Sequence, residues 1–135
     1  MADATPGIRA RPLSPHMQIW RWHVTMAASI LTRATGSALY GGALLLMGWA
    51  LALASGPAAY DTYVGLLGSI PGKIVLFGLT LSAFYHLFAG LRHLVWDSGK
   101  GFTPAVASRS AWAAIGGAIV ASVAVWVVAG LMGKL

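Results

Sequence analysis

The chain of 135 residues has no cysteine and no glutamate. The missing cysteine excludes disulfides, iron–sulfur ligation, thiolate zinc sites and covalent c-type haem attachment, which needs a Cys-x-x-Cys-His run. Any metal or haem must be held through histidine, methionine or oxygen. Charge is scarce as well: 9% of residues are charged and 58% are hydrophobic, against roughly 25% charged in soluble proteins. A soluble surface cannot be covered from that inventory, so a soluble enzyme is excluded. The net charge of +6 does not make a nucleic-acid binder, because the basic residues sit at the ends of apolar runs and not on one soluble face.

Three long stretches carry no charge at all: 27 residues between Arg33 and Asp61, 18 between Lys73 and Arg92, and 24 between Arg109 and Lys134. A helix crossing a hydrocarbon core of roughly 30 Å needs about 20 apolar residues, so each stretch can cross once, the middle one with snorkelling ends. Spans are predicted at about 36–55, 73–96 and 111–133. Gly56-Pro57 stops the first, Pro71-Gly72 precedes the second, and Trp96 and Trp112 mark headgroup level. Short links predict antiparallel neighbours.

Arg9, Arg11, Arg21, Arg33, Arg92, Lys100 and Arg109 fall on the side of the N-terminus and second loop, and only Lys73 and Lys134 on the other. That asymmetry places the N-terminus in the cytoplasm. Residues 1–16 read as a Pro/Arg-rich arm without a cleaved signal peptide. Residues 17–33 (MQIWRWHVTMAASILTR) read either as an amphipathic interfacial segment or as the start of a long, bent first span, and residues 34–135 as the three-helix anchor. The fold expected is an all-α membrane protein with three transmembrane helices, preceded by an interfacial segment and forming part of a multi-subunit bundle.

His86 is an ionisable side chain inside an apolar run, about 9 Å deeper than Arg92 at 1.5 Å per residue. An intramembrane histidine suggests a functional site, although one that hydrogen-bonds across a helix interface would look the same. Its surroundings favour a site: Gly78, Ser82, His86 and Gly90 recur at i+4, with His93 two turns beyond, so a ligand lies in a trough of small residues. A flat macrocycle needs such clearance. A six-coordinate haem takes two axial ligands, and the other spans hold no histidine, so the second would come from another chain. Ser29 and Arg33, at i and i+4, share a helix face where the first span begins; Arg92, His93 and Asp97 end the second span at that level. These residues read either as a positive-inside anchor, with Asp97 pairing Arg92 or Arg33, or as a site where hydroxyl and guanidinium donors meet the carbonyl of a lipid-soluble molecule.

Three segments, RPLSPH (Arg11 to His16), SILTRATG (Ser29 to Gly36) and HLFAGLRHLVWD (His86 to Asp97), resemble those of the cytochrome b subunit of succinate dehydrogenase, the larger of two membrane anchors in complex II. They occur in family order across nearly the whole chain, and the third is the most specific. The resemblance implies that His86 is an axial ligand of haem b, with the partner anchor supplying the other. It also implies that Ser29 and Arg33 belong to the ubiquinone site, that His93 lies near a haem propionate with Arg92 beside it, and that Asp97 lies at the subunit interface or exchanges protons. The implied partners are a second three-span anchor, an iron–sulfur subunit, a flavoprotein and membrane lipid, in a bacterial-type inner membrane. This chain would carry neither flavin nor cluster chemistry itself. The family usually places His directly before the motif Arg; here that residue is Thr32, so a propionate contact is expected to be lost or replaced. Two rival readings are an anchor of a quinol:fumarate reductase and a non-redox three-span structural or assembly protein.

Overall fold

A computed structural model describes residues 14–133. Most of the 1–16 arm, with Arg9 and Arg11, lies outside the described residues, and so does Lys134. A 3-10 turn at His16–Gln18 precedes four helices: α1 (Val24–Ala54), α2 (Pro57–Gly68), α3 (Ile70–Asp97) and α4 (Pro104–Leu131). Three of them, α1, α3 and α4, are long and apolar enough to cross a membrane. The chain is an all-α, multi-pass membrane protein.

Helix α1 has 31 residues and is therefore about 46 Å long, against a hydrocarbon core of roughly 30 Å. About ten residues exceed the crossing, close to the length of the 24–33 stretch, which continues into the span without a break. The helix starts where the His23 ring caps it, Nδ1 accepting the backbone N–H of Thr25 at 3.3 Å.

The link between the first two spans is not a simple loop. Gly56, at φ 108°, takes a conformation that L side chains rarely adopt, and Pro57 then occupies the first helical turn of α2, where its missing N–H costs nothing. The Gly-Pro pair that ends one helix therefore also begins another. Helix α2 folds back onto α1, with the Tyr63 hydroxyl donating to the Leu45 carbonyl at 2.7 Å. The chain then turns into α3 at Ser69, whose Oγ accepts from Gly72 N at 3.3 Å and donates to the Leu66 carbonyl at 2.6 Å.

Gly72 allows that tight approach. A Cβ there would collide with the carbonyl oxygens of Leu66 and Leu67. We expect Gly72→Ala to cost roughly 1–3 kcal/mol, the usual range for overpacking, read as a lower thermal midpoint of the purified protein. Gly65→Ala, where a Cβ meets nothing within 4 Å, should leave the midpoint unchanged.

Of the seven buried residues among those described, five are alanine, and the others are Tyr85 and Ser122. Ala114 and Ala118 of α4 pack against Tyr85 and Ala89 of α3, with Phe84, Phe88 and Ile115 closing the cluster. Small residues at the contacts let the backbones come close, which is how helices associate in lipid without a hydrophobic driving force. Large apolar side chains such as Leu46, Leu51, Val120 and Val128 are exposed, as lipid or a further subunit would require. Polar bonds add register: Tyr85 donates to the Ala28 carbonyl at 2.7 Å, and Trp126 Nε1 donates to Thr80 at 3.2 Å.

Candidate functional site

The start of α1, the end of α3 and the start of α4 meet at one end of the bundle. His23 and Ser108 approach to 3.4 Å, and Arg92 of α3 reaches Ser110 and Ala107 of α4. Arg21, Arg33, Arg92, Lys100 and Arg109 thus gather at the end where the candidate site lies. The link from α3 to α4 is pinned there by Trp96, which donates to the Gly101 carbonyl at 3.2 Å and stacks on Phe102.

At about 100° per residue, Ser29, Arg33 and Gly36 fall within roughly 60° of one another on α1. Ser29 and Arg33 are both exposed. Gly36 lies against His86 of α3: a Cβ added there would be in van der Waals contact with the His86 Cε1 at 3.4 Å. The column of Ser29 and Arg33 therefore runs down to the His86 ring, Arg33 about 4–5 Å and Ser29 about 10 Å above Gly36 along the axis.

The His86 ring is held from the α1 side. Its Nδ1 is 3.3 Å from Thr35 Oγ1, and the residue is otherwise exposed on the surface of the chain. Around it α3 offers no bulk: Cβ atoms at Gly78 and Gly90 would meet nothing within 4 Å, and the Ser82 hydroxyl is turned back to the Gly78 carbonyl at 2.8 Å.

By the same helical arithmetic His86, His93 and Asp97 lie within roughly 40° on α3, whereas Arg92 points about 100–140° away. All three of the former are exposed. The His93 Nδ1–H donates to the Ala89 carbonyl at 2.6 Å, and the ring meets Trp96 edge-on. Arg92 keeps the expected level but turns to α4. Its Nε donates to Ser110 at 2.9 Å, a terminal nitrogen donates to Ala107 O at 3.1 Å, and the guanidinium lies 3.9 Å above the Trp96 ring. The structure brings His86, His93 and Asp97 onto one face and leaves Arg92 tying two helices together.

Thr32, in the place of the family histidine, is half-buried and donates its hydroxyl proton to the Ala28 carbonyl of its own helix at 2.8 Å. With that proton given to the backbone, the hydroxyl has no second one to offer another acceptor. Two residues absent from the sequence reading take part: Thr35, which holds His86, and Tyr85, which ties α3 to α1. Thr35 stands inside the SILTRATG segment, two residues from Arg33, and that proximity was the available signal.

Among the described residues no three histidine or aspartate side chains gather as a metal-binding cluster. A haem would ask this chain for a single ligand. The residues fit that demand for haem: one imidazole with a nitrogen open to the surface, small residues around it, and donors one to two turns above.

The family model of the succinate dehydrogenase/fumarate reductase transmembrane subunit matches residues 8–125. The chain is 41% identical over 123 residues to the succinate dehydrogenase cytochrome b556 subunit of Paracoccus denitrificans, covering 91% of this chain and 93% of that protein. It is 35% identical over 118 residues to the subunit of the same name from Rickettsia conorii, covering 87% and 91%. With the mitochondrial succinate dehydrogenase cytochrome b560 subunit of Sus scrofa it shares 43% identity over 98 residues, 69% of this chain and 56% of that protein.

Proposed function

Because the chain belongs to the succinate dehydrogenase/fumarate reductase transmembrane subunit family, as a cytochrome-b-type anchor, we propose that it holds haem b through His86 and forms one wall of a ubiquinone-reduction site with Ser29 and Arg33. The observation that carries this reading is the His86 ring, tied at Nδ1 to Thr35 and open at its other nitrogen, in a surface trough of small residues. A haem held by His86 would take its other protein ligand from a second three-span anchor. An iron–sulfur subunit and a flavoprotein complete the assembly, and the basic end of the bundle faces the cytoplasm, in keeping with the charge asymmetry, in a bacterial inner membrane.

When bound, haem b would supply one-electron redox chemistry. Reduction of a quinone to a quinol takes two electrons and two protons and puts negative charge on the carbonyl oxygens on the way. Ser29 donates a hydrogen bond to one such oxygen. Arg33, one helical turn deeper on the same side of α1, stabilises the charge that develops there, an effect that acts more strongly in the transition state than in the ground state. Protons enter from the wet end of the bundle, where Asp97 and His93 are exposed. Arg92 stabilises the site indirectly by fixing α3 to α4, and Asp97, the last residue of α3, meets the soluble subunits.

Purification through an affinity tag on this chain tests the assembly. A flavoprotein, an iron–sulfur protein and a second small three-span chain should co-purify in detergent. Recovery of this chain without the flavoprotein and the iron–sulfur protein would contradict the reading.

A further inference from the structure

We propose that the hydroxyl of Thr35 is a positioning group for His86: it fixes the ring in the Nδ1–H tautomer and strengthens the nitrogen left for an axial bond. The inference rests on the reading of His86 as a haem ligand.

Thr35 Oγ1 lies 2.7 Å from the Leu31 carbonyl, 3.2 Å from the Thr32 carbonyl and 3.3 Å from His86 Nδ1. A hydroxyl carries one proton and two acceptor lone pairs. Both carbonyls only accept, and the Leu31 oxygen at 2.7 Å is nearer the hydroxyl than the ring nitrogen at 3.3 Å, so the proton goes to Leu31 in the backbone of α1. The oxygen then presents a lone pair to His86. Nδ1 must be the donor across that contact, and a neutral imidazole with its proton on Nδ1 has its free lone pair on Nε2, the only form in which Nε2 can bind a metal.

Other histidines of the chain show that neighbours decide the tautomer. At His23, Nδ1 accepts from Thr25 N, so the proton sits on Nε2 and donates to Ser108 Oγ, whose own proton is taken by the Pro104 carbonyl at 2.7 Å. His93 has the same tautomer as His86, but its acceptor is the Ala89 carbonyl of its own helix. His86 differs from His93 in where its acceptor stands, and from His23 in carrying its proton on Nδ1. Its acceptor stands on α1 while the ring stands on α3, so the crossing of two helices sets the ring plane, with Gly36 leaving room for the ring against α1.

An acceptor on Nδ1–H makes the opposite nitrogen more basic. A more basic ligand favours the more highly charged, oxidised iron and lowers the midpoint potential of the haem. Removing the hydroxyl should do the reverse and also release the ring plane.

The test uses the intact complex carrying Thr35→Val, which keeps the shape and loses the hydroxyl, and Thr35→Ser, which keeps the hydroxyl. Potentiometric titration of the b-type absorption and low-temperature EPR of the oxidised haem are the readouts. Thr35→Val should shift the midpoint potential upward and displace the low-field EPR feature, and Thr35→Ser should restore both. Loss of haem in Thr35→Val with retention in Thr35→Ser would support the same role. Unchanged potential and EPR in Thr35→Val overturn the inference, as does a Thr35→Ser protein that shifts, or loses haem, as fully as Thr35→Val. A wild-type complex with no b-type bands, or bands that survive His86→Ala, would overturn the haem reading itself. Bands that vanish with His86→Ala while Thr35→Val leaves the potential untouched would overturn only the role of Thr35.

Discussion

Replacing Arg33 with leucine is expected to lower the quinone reductase activity of the complex by roughly 100-fold, while succinate oxidation measured with an artificial acceptor at the soluble subunits stays at the wild-type rate. Arg33 is exposed on α1, and it would act on charge that appears only as the quinone takes up electrons. Loss of one such preorganised donor typically costs on the order of 2.7–4 kcal/mol in the transition state. Ser29→Ala removes a neutral donor worth about 1 kcal/mol, so its effect should be about fivefold in the same assay. The pair of assays separates chemistry from assembly. Equal loss of both activities would mean that the subunits no longer bind one another, and an unchanged quinone rate in both variants would remove Ser29 and Arg33 from the site.

Replacing His86 with alanine should eliminate the low-spin, six-coordinate b-type spectrum, with the complex still assembled. This separation is expected because His86 contributes little to packing. Its ring is exposed, with Thr35 and Gly36 of α1 beside it. The α3–α4 interface is instead carried by Tyr85, Ala89, Ala114 and Ala118. Tyr85→Ala serves as the opposite control. It removes a buried ring and its bond to the Ala28 carbonyl, a large-to-small change costing roughly 3–5 kcal/mol, and should reduce recovery of the whole complex. Assembly is read by co-purification of the soluble subunits, and haem by its absorption per mole of flavin.

The three spans were legible because charge is excluded from hydrocarbon, and the gaps between Arg33, Asp61, Lys73, Arg92, Arg109 and Lys134 record that exclusion directly. Helix α2 was not. Twelve residues are marginal for a helix on their own, and PAAYDTYVGLLG contains two glycines; what secures it is tertiary, the Tyr63 bond to α1 and the tight turn at Gly72. The start of α1 at Val24 was hidden for a similar reason, since histidine is not among the usual N-cap residues and only the structure shows the His23 ring on Thr25 N.

Within the site, the i, i+4 pairing of Ser29 with Arg33 and the seven-residue spacing of His86 from His93 follow from helical periodicity, and the structure places each pair on one side of its helix. Arg92 shows the limit of reading by depth. Its level along α3 is as expected, but one residue of rotation from His93 turns it to Ser110. Thr35 was hidden because threonine hydroxyls in helices commonly bond back to the i−4 carbonyl. This one does so while also meeting a ring on another helix; its place near Arg33 in SILTRATG marks the neighbourhood, but not which ring it meets.

The measurement that bears most directly on the function is the dithionite-reduced minus air-oxidised spectrum of the complex purified through this chain, recorded for wild type and for His86→Ala. Ligation of haem b by His86 predicts b-type bands in the wild type and their loss in the variant at equal flavin content. Absence of the bands from the wild type, or the same bands in both proteins, would contradict it.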